Sequence, residues 1–297
     1  MLLLTGATGT IGAPLLRRLT AAGTPVRCLV RDPRRLGPER VRVQIAMGDL
    51  GDHLSFRHAL RGVDTVVHLA SVIRDEPGAS IEELAGVATW RLVRAAEREG
   101  VTRFYFFSVL GASTRSSSRL LRAKAVAERA IAESTLEHTV FVPSLVYAPG
   151  DRYLRLLRRI ALAPVVPIPG AGNAPVQPIW ADDVADCVIA ALPGGPAADR
   201  AAGARFELAG PETLSYRELT DTVLRSAGRR RPLLPVPQPT VRRVLGATET
   251  LLGPAAPVTW DEAQLLTLPA VSRHGTTDAE ALGVRPQRIA AVLGVGE

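Results

Sequence analysis

The chain has 297 residues, of which 46% are hydrophobic and 22% are charged, so it is long enough for one substantial core and a smaller second lobe. The formal charge of +7 invites a nucleic-acid interpretation. However, the basic residues are dispersed and only 4% of residues are aromatic, which argues against a nucleic-acid partner. No apolar run has the length of a membrane span, and the opening MLLL is too short for a signal peptide, so we expect a cytoplasmic protein.

Cysteine and histidine usage predicts neither a disulfide nor a metal site. Cys28 falls in a predicted strand and Cys187 in a predicted helix, so both are expected to be buried thiols. The five histidines are scattered without the spacing of a ligand set.

The first predicted strand, residues 1–4, leads through the stretch TGATGTIG into a helix predicted over residues 11–19. Gly6, Gly9 and Gly12 let the chain reverse, let the backbone approach a ligand, and let the helix pack near the strand. An open helix N-terminus attracts a pyrophosphate through its N–H groups and dipole. The spacing differs from the usual GxGxxG, and no Gly-Lys-Ser/Thr follows as in a P-loop. We predict a nucleotide-binding loop.

The second predicted strand, residues 25–30, ends at the run RDPRRL, where the chain should face an adenosine ribose. A site for NAD carries a carboxylate there, which accepts from the 2′-hydroxyl. Arg31 instead offers planar donors that match a 2′-phosphate, so NADPH is predicted over NADH. Asp32 follows directly and leaves the NADH alternative open.

The N-terminal half alternates further strands and helices. The strands are predicted at residues 41–46, 64–69, 103–108 and 138–143, and the helices at residues 52–61, 81–99 and 119–134. Continuous apolar strands between helices predict an α/β fold with a doubly wound parallel sheet of the Rossmann type. Ligands bind beyond the carboxyl ends of such strands. The residues that this rule places near a cofactor are Gly48, Asp49, His68, Ala70, Ser71 and Ser108.

Residues after 150 have a looser pattern, which predicts a second, smaller part. We expect a Rossmann core of residues 1–150 to which 179–209 return, and a small, mostly helical substrate lobe of residues 151–178 and 210–297. Helices are predicted over 153–162 and from Asp182 or Asp183, a strand at RFELAG, and short helices between Pro-rich linkers after 212. Residues 241–252 could face a partner, a membrane surface or their own lobe, and packing on the lobe is expected.

Lys124 is the only lysine in a chain with 36 lysine and arginine residues. A primary ammonium is compact, can bridge two neighbouring hydroxyls, and shifts its pKa readily, which a guanidinium does poorly. The retention of one lysine in an arginine-rich chain therefore points to a functional position.

The sequence resembles the short-chain dehydrogenase/reductase superfamily. The resemblance lies in TGATGTIG, GDL (48–50), VVHLAS (66–71), FFSVLGAS (106–113) and RAKAVAE (122–128). VPSLVYAPGD and QPIWADDVA extend it to the extended and atypical branches. SVLGAS, KAVAE, GPETLSYRELTD and APVTWDEAQLL are similar to the group of the accessory NADPH-binding subunit of respiratory complex I. NmrA-like NADP sensors and isoflavone-reductase-type enzymes are neighbouring possibilities.

The resemblance implies a role for each matching residue. The three glycines would cradle the pyrophosphate, Arg31 would meet the 2′-phosphate, Asp49 would hydrogen-bond the adenine, and Lys124 would hold the nicotinamide ribose. The full predicted cofactor-binding set is Gly6, Thr8, Gly9, Thr10, Ile11, Gly12, Arg31, Asp49, Leu50, Leu69, Ala70, Ser71, Ser108, Lys124 and Pro143.

The chain departs from the family at the usual Tyr-x-x-x-Lys, because Leu120 stands where the tyrosine is expected. A positioned general acid contributes about 10² to 10⁴ in rate, so its loss does not forbid hydride transfer but argues against ordinary alcohol oxidation. Lys124, Tyr147 or Ser108 is predicted to replace the phenol.

The sequence therefore predicts an NADPH-dependent oxidoreductase that reduces a small apolar carbonyl compound, quinone or activated alkene. A non-catalytic NADP(H)-binding sensor or assembly factor is the alternative, and an isomerase or epimerase ranks last. A small-molecule substrate is expected, without a nucleic-acid or membrane partner, and the sequence leaves monomer or homodimer open.

Overall fold

The computed structural model describes residues 1–52, 55–76 and 78–295 and contains one main sheet and several two-stranded ribbons. The strands are β1 Leu2–Thr5, β2 Val26–Val30, β3 Gln44–Met47, β4 Thr65–His68, β5 Arg103–Phe107, β6 Glu137–Pro143, β7 Val146–Tyr147, β8 Val166–Pro169, β9 Pro175–Val176, β10 Ile179–Trp180, β11 Arg205–Leu208, β12 Leu214–Ser215 and β13 Leu233–Val236.

Helices surround this sheet and continue to the end of the described chain. They are α1 Gly12–Ala21, α2 Ala88–Arg98, α3 Arg119–Ala132, α4 Arg152–Ile160, α5 Ala181–Ala191, α6 Ala198–Ala201, α7 Tyr216–Ser226, α8 Gln238–Leu252, α9 Trp260–Leu265, α10 Thr277–Ala281 and α11 Ile289–Leu293. Short 3₁₀ segments lie at Pro33–Val41, Arg57–Leu60 and Gly253–Ala255, and a π-helical stretch, Glu83–Val87, runs directly into α2.

Over the described residues, the main sheet has seven parallel strands in the order β11-β6-β5-β4-β1-β2-β3. Alternate side chains enter two different apolar clusters, one on each face: Leu2 and Leu4 belong to one cluster and Leu3 to the other. Helices cover both faces, so the strands are apolar throughout. The predicted doubly wound α/β fold is confirmed. The order turns back between β1 and β4, which opens a crevice beyond their carboxyl ends.

Helix α5 joins the second part of the chain to this sheet by packing against α1. Arg18 Nη1 donates to Asp182 Oδ1 at 2.9 Å, and Arg18 Nε donates to Asp186 Oδ1 at 2.6 Å. The helix begins at Ala181, one residue before the predicted start at Asp182. On the same face, the rings of Tyr105 and Phe141 stack at 6.5 Å.

The predicted bounds or type of two elements after β2 are wrong. The strand predicted at 41–46 is observed at Gln44–Met47, because a 3₁₀ segment with Pro38 inside it occupies the chain up to Val41. The helix predicted over 52–61 is a single 3₁₀ turn, Arg57–Leu60. His53 and Leu54, which belong to that prediction, lie outside the described residues.

The Pro-rich segments predicted as linkers are also corrected. Strand β13 comes from the run RRRPLLPVPQP and pairs in parallel with β8, which comes from APVVPIPG. This ribbon adjoins an apolar cluster separate from the sheet clusters, which contains Tyr147, Leu157, Tyr216 and Val223. The division into a core and a substrate lobe at the predicted boundaries remains a prediction.

Helix α8 has little contact with the rest of the chain. It is adjacent to α9 and to the Gly253–Ala255 turn, and none of its residues is buried. Leu251 is 82% exposed and Val244 is 57% exposed. The expected packing of 241–252 on its own lobe is therefore only partial. In the part of the chain that the structure describes, no helix is long and apolar enough to cross a bilayer.

Candidate functional site

The glycine-rich turn after β1 approaches the end of β4 so closely that side chains are excluded. Gly6 has φ +74°, and a Cβ built on it would lie 2.6 Å from the Ala70 backbone nitrogen. A Cβ on Gly12 would lie 2.0 Å from the Gly6 carbonyl oxygen, and the Gly9 N–H donates to that oxygen at 2.9 Å. Ile11 precedes α1 without a side-chain cap, so no side chain competes for the first turn of the helix. This geometry fits the pyrophosphate of a dinucleotide.

A buried chain of hydrogen bonds holds this turn from below. Thr5 Oγ1 accepts from the Ala70 N–H at 3.3 Å and contacts His68 Nδ1 at 2.7 Å. His68 Nε2 contacts Thr89 Oγ1 at 3.0 Å, and that hydroxyl donates to the Ala85 carbonyl at 3.2 Å. Because Thr89 donates onward, His68 donates from Nε2 and accepts at Nδ1. Burial, with a contribution from nearby positive charge, lowers the pKa of His68 to about 3. His68 supports the loop and does not line the cleft.

A cleft of about 230 Å³ opens at the carboxyl ends of β1, β2 and β4. Nine residues of the predicted cofactor-binding set line it: Gly6, Thr8, Gly9, Arg31, Asp49, Leu50, Leu69, Ala70 and Ser71. Six predicted residues are not among its lining residues: Thr10, Ile11, Gly12, Ser108, Lys124 and Pro143. Binding sites for small molecules usually have volumes of about 300 to 1,000 Å³, so the open cleft has room for part of a dinucleotide.

Sequence reasoning missed several residues of this cleft. Leu29 and Val30 line it from the end of β2, Leu84 from the π-helical stretch, and Glu76 from the segment after β4. The first two were placed in the correct strand and could have been identified from its end. Glu76 carried no signal, because only the fold brings it to Arg31.

Arg31 is bound by carboxylates. Its guanidinium donates to both carboxylate oxygens of Glu76, with Nη2–Oε1 at 3.1 Å, and Nη1 lies 3.8 Å from Asp49 Oδ2. The hydrogen bond to Glu76 is the main reason that the pKa of Arg31 is raised. Asp32 accepts from the Arg34 N–H at 3.0 Å and so caps the following 3₁₀ turn. Asp49 Oδ1 accepts from the Gly51 N–H at 2.8 Å.

Lys124 lies on α3 with its ammonium against the end of β5. Nζ donates to the Phe107 carbonyl at 2.6 Å and lies 4.7 Å from the centroid of the Phe106 ring. Burial lowers its pKa from 10.5 to about 7. Ser108 follows Phe107, and its buried Oγ has no hydrogen-bond partner within the described residues. Lys124, with its lowered pKa, thus binds the carbonyl of Phe107, and the next residue along the chain carries this buried hydroxyl.

Leu120, at the position of the expected tyrosine, is 3% exposed and packs with Ile81, Ala85 and Leu265. Leu265 belongs to α9, whose acidic side chains pair with Arg74 and Arg119. Arg74 Nη2 lies 2.7 Å from Glu262 Oε2, and Arg119 Nη1 lies 3.2 Å from Asp261 Oδ2. Helix α9 therefore covers α3 one turn before Lys124.

Tyr147 lies away from the open cleft. It pairs with Trp180 between β7 and β10, is completely buried, and belongs to the apolar cluster with Leu154 and Tyr216. Burial raises the pKa of its phenol above the ordinary value, and Oη has no partner in the described part of the chain. A catalytic role for Tyr147 remains a prediction that this arrangement does not support.

Predictions from the sequence also concern the two cysteines and the potential metal ligands. Cys28 and Cys187 are free and buried, which confirms the interpretation as buried thiols. Among residues 1–52, 55–76 and 78–295, no group of three histidine, cysteine, aspartate or glutamate side chains could hold a metal ion.

Comparison with known proteins identifies an NAD(P)H-binding family. A family model described as NAD(P)H-binding matches residues 6–195. A (4-alkanoyl-5-oxo-2,5-dihydrofuran-3-yl)methyl phosphate reductase of Streptomyces griseus is 31% identical over 236 residues, 77% of this chain and 74% of the relative. Subunit 9 of the NADH dehydrogenase (ubiquinone) 1 alpha subcomplex of Arabidopsis thaliana is 30% identical over 231 residues, 73% of this chain and 55% of the relative.

Among solved structures, an NADPH-dependent quinone oxidoreductase from Escherichia coli, in complex with NADPH, has a TM-score of 0.74. It is 19% identical, and the match covers 99% of each chain. At this identity the similarity concerns the fold alone.

Replacement of Gly12 or Gly9 by alanine is expected to weaken NADPH binding. The loss should be larger where the added Cβ lies closer to the Gly6 carbonyl oxygen. Gly12→Ala, with its Cβ 2.0 Å from the Gly6 oxygen, should lose at least about tenfold in affinity, and Gly9→Ala, with its Cβ 3.2 Å from the same atom, should lose less. Gly246→Ala in α8 is the control, because nothing lies within 4 Å of the added methyl. Calorimetric titration with NADPH measures the affinities. Equal affinity for all three variants would contradict the predicted role of the turn.

Lys124 is expected to make stability depend on pH. The folded amine has a pKa of about 7 and the unfolded one about 10.5, so between these values the unfolded state binds more protons. The destabilisation is greatest below pH 7 and disappears as the pH rises to 10.5. Relative to Lys124→Met, the free energy of unfolding should rise by up to about 1.4 kcal/mol per pH unit across this window.

Urea denaturation of both proteins at a series of pH values measures this difference. Contributions of other titrating groups cancel, because both proteins share them. Parallel curves for the two proteins would show that the amine is not neutralised by burial.

Proposed function

Because the chain belongs to the NAD(P)H-binding family within the short-chain dehydrogenase/reductase superfamily, we propose that it is an NADPH-dependent reductase of a small apolar carbonyl compound, quinone or activated alkene. The observation that carries the proposal is Lys124, the only lysine of the chain, buried at the end of β5 with a pKa of about 7. A group that titrates near neutral pH is suited to give a proton.

NADPH, when bound, supplies a hydride to the substrate. The residues of the cleft bind and orient it. The turn from Gly6 to Gly12 would receive the pyrophosphate at the start of α1, and Arg31 would meet the 2′-phosphate. Lys124 and Ser108, at the end of β5, would hold the nicotinamide ribose.

The substrate class follows from the missing phenol. Leu120 provides no proton, so the reaction depends on Lys124, or on substrates whose reduction needs little acid assistance. Quinones and alkenes conjugated to carbonyl groups accept a hydride into a delocalised anion. The Streptomyces griseus relative is named as the reductase of an (alkanoyl-oxo-dihydrofuranyl)methyl phosphate, whose ring alkene is conjugated to carbonyl groups.

A non-catalytic NADP(H)-binding protein is the second candidate. Leu120 favours it, because this residue lacks the phenol and is covered by Leu265 of α9. The Arabidopsis thaliana relative is named as a subunit of a larger complex. The presence of Lys124 alone does not separate the two candidates, since contact with the ribose would also require it. The lowered pKa of its amine favours the reductase.

The decisive assay follows the loss of nicotinamide absorbance with quinones, enones and aromatic ketones, with NADPH binding measured in parallel by calorimetry. We expect turnover of a quinone or an enone, with a rate that falls as the pH rises through about 7 because Lys124 loses its proton. In Lys124→Met this pH dependence should be absent. Tight binding of NADPH without turnover of any substrate would support the non-catalytic alternative.

A further inference from the structure

Glu76 binds Arg31, the side chain that is predicted to contact the 2′-phosphate of the cofactor. Both of its carboxylate oxygens accept from the guanidinium of Arg31, in the bidentate arrangement that a phosphate would also use. Glu76 also lines the cleft itself, so it lies on the path of the ligand. Its side chain is 26% exposed, whereas that of Arg31 is 54% exposed.

The position of Glu76 is fixed by its neighbours. Its backbone N–H donates to the Ala79 carbonyl at 3.0 Å, and the Ala79 N–H donates back at 3.1 Å. The two preceding side chains are bound to other elements: Arg74 Nη2 lies 2.7 Å from Glu262 Oε2 in α9, and Asp75 accepts from Arg119 at 2.9 and 3.0 Å. The carboxylate of Glu76 is therefore presented to Arg31 by an anchored segment.

The charges around this position do not by themselves favour a 2′-phosphate. The cleft is lined by two arginines, Arg31 and Arg35, and by three carboxylates, Asp32, Asp49 and Glu76. A phosphate group carries a charge of about −1.5 to −2 near neutral pH. To use the two terminal nitrogens of Arg31 it would have to displace Glu76, and it would remain close to the displaced carboxylate. A 2′-hydroxyl carries no charge and can donate to a carboxylate that stays in place.

We propose that Glu76 is a specificity-determining residue that limits the preference of this site for NADPH over NADH. It competes with the 2′-phosphate for Arg31 and accepts from the 2′-hydroxyl of NADH. The proposal rests on the proposed function only in requiring that the cleft binds a nicotinamide dinucleotide. Catalysis is not required.

Glu76→Gln tests this directly, because the amide keeps the shape of the side chain and one acceptor oxygen but loses the charge. Glu137→Gln is the matched control: it makes the same change in net charge and breaks an exposed pair with Arg103 at 3.1 Å. Both residues of that pair lie at the amino ends of their strands, whereas the cleft lies at the carboxyl ends of the sheet. Dissociation constants for NADPH and NADH are measured by calorimetry for the wild type and both variants.

Glu76→Gln should tighten NADPH binding on the order of tenfold, because a competing charge within a few ångströms is removed. Affinity for NADH should change by less than about twofold, since the amide oxygen still accepts. Glu137→Gln should alter neither affinity. In the background Arg31→Gln, the substitution at Glu76 should improve NADPH binding much less, because the residue for which the two anions compete is absent and only their mutual repulsion is relieved.

Equal changes for NADPH and NADH, or no change for NADPH, would overturn the proposal while leaving the proposed function intact. The same holds if Glu76→Gln improves NADPH binding equally with and without Arg31. Glu76→Ala provides a second variant in case the amide makes new contacts. If neither dinucleotide binds the folded wild type or any variant, the proposed function fails, and this inference is overturned with it.

Discussion

The candidate site depends on one steric constraint, the close approach of the turn after β1 to the end of β4. A methyl group on Gly6 would overlap the Ala70 nitrogen, and one on Gly12 would overlap the Gly6 carbonyl. Because these positions lack side chains, the first turn of α1 faces the crevice where the strand order turns back. The buried bonds from Thr89 through His68 to Thr5 fix this approach from the opposite side. The backbone cradle for a phosphate is thus built into the hydrogen bonding of the core.

The proposed cofactor site has two regions of different character: the cleft around Arg31, and the end of β5 around Lys124, which does not line that cleft. At the adenosine end, Arg31 is exposed and its partners are charged, so binding there is an exchange of one anion for another. At the end of β5, Lys124 is buried beside an aromatic ring, and its Nζ donates to the Phe107 carbonyl. Helix α9 covers Leu120 next to it, held by the pairs that Glu262 and Asp261 form with arginines. Under the proposed function, recognition of the cofactor and chemistry at the nicotinamide would therefore lie in separate regions, and a protein could retain the first while losing the second.

The sequence was sufficient for the sheet and for the glycine turn, because apolar runs and glycine spacing report local backbone requirements. It failed where a long-range contact decides the structure. The proline-rich run around Leu233 looked like a linker, yet it pairs with a strand about seventy residues earlier in the chain. Glu76 had no recognisable motif and becomes significant only beside Arg31. For Leu120, the sequence showed that the phenol is absent. It did not show that Leu265, far along the chain, packs at this position.

The most direct test of this account is hydrogen–deuterium exchange of the amides with and without NADPH. The account predicts slower exchange, upon binding, in the turn of residues 5–13 and in the strand ends at 29–35 and 69–72, and no change in the exposed helix α8. Binding of NADPH that left residues 5–13 unprotected, or that protected α8 instead, would show that the dinucleotide site lies elsewhere.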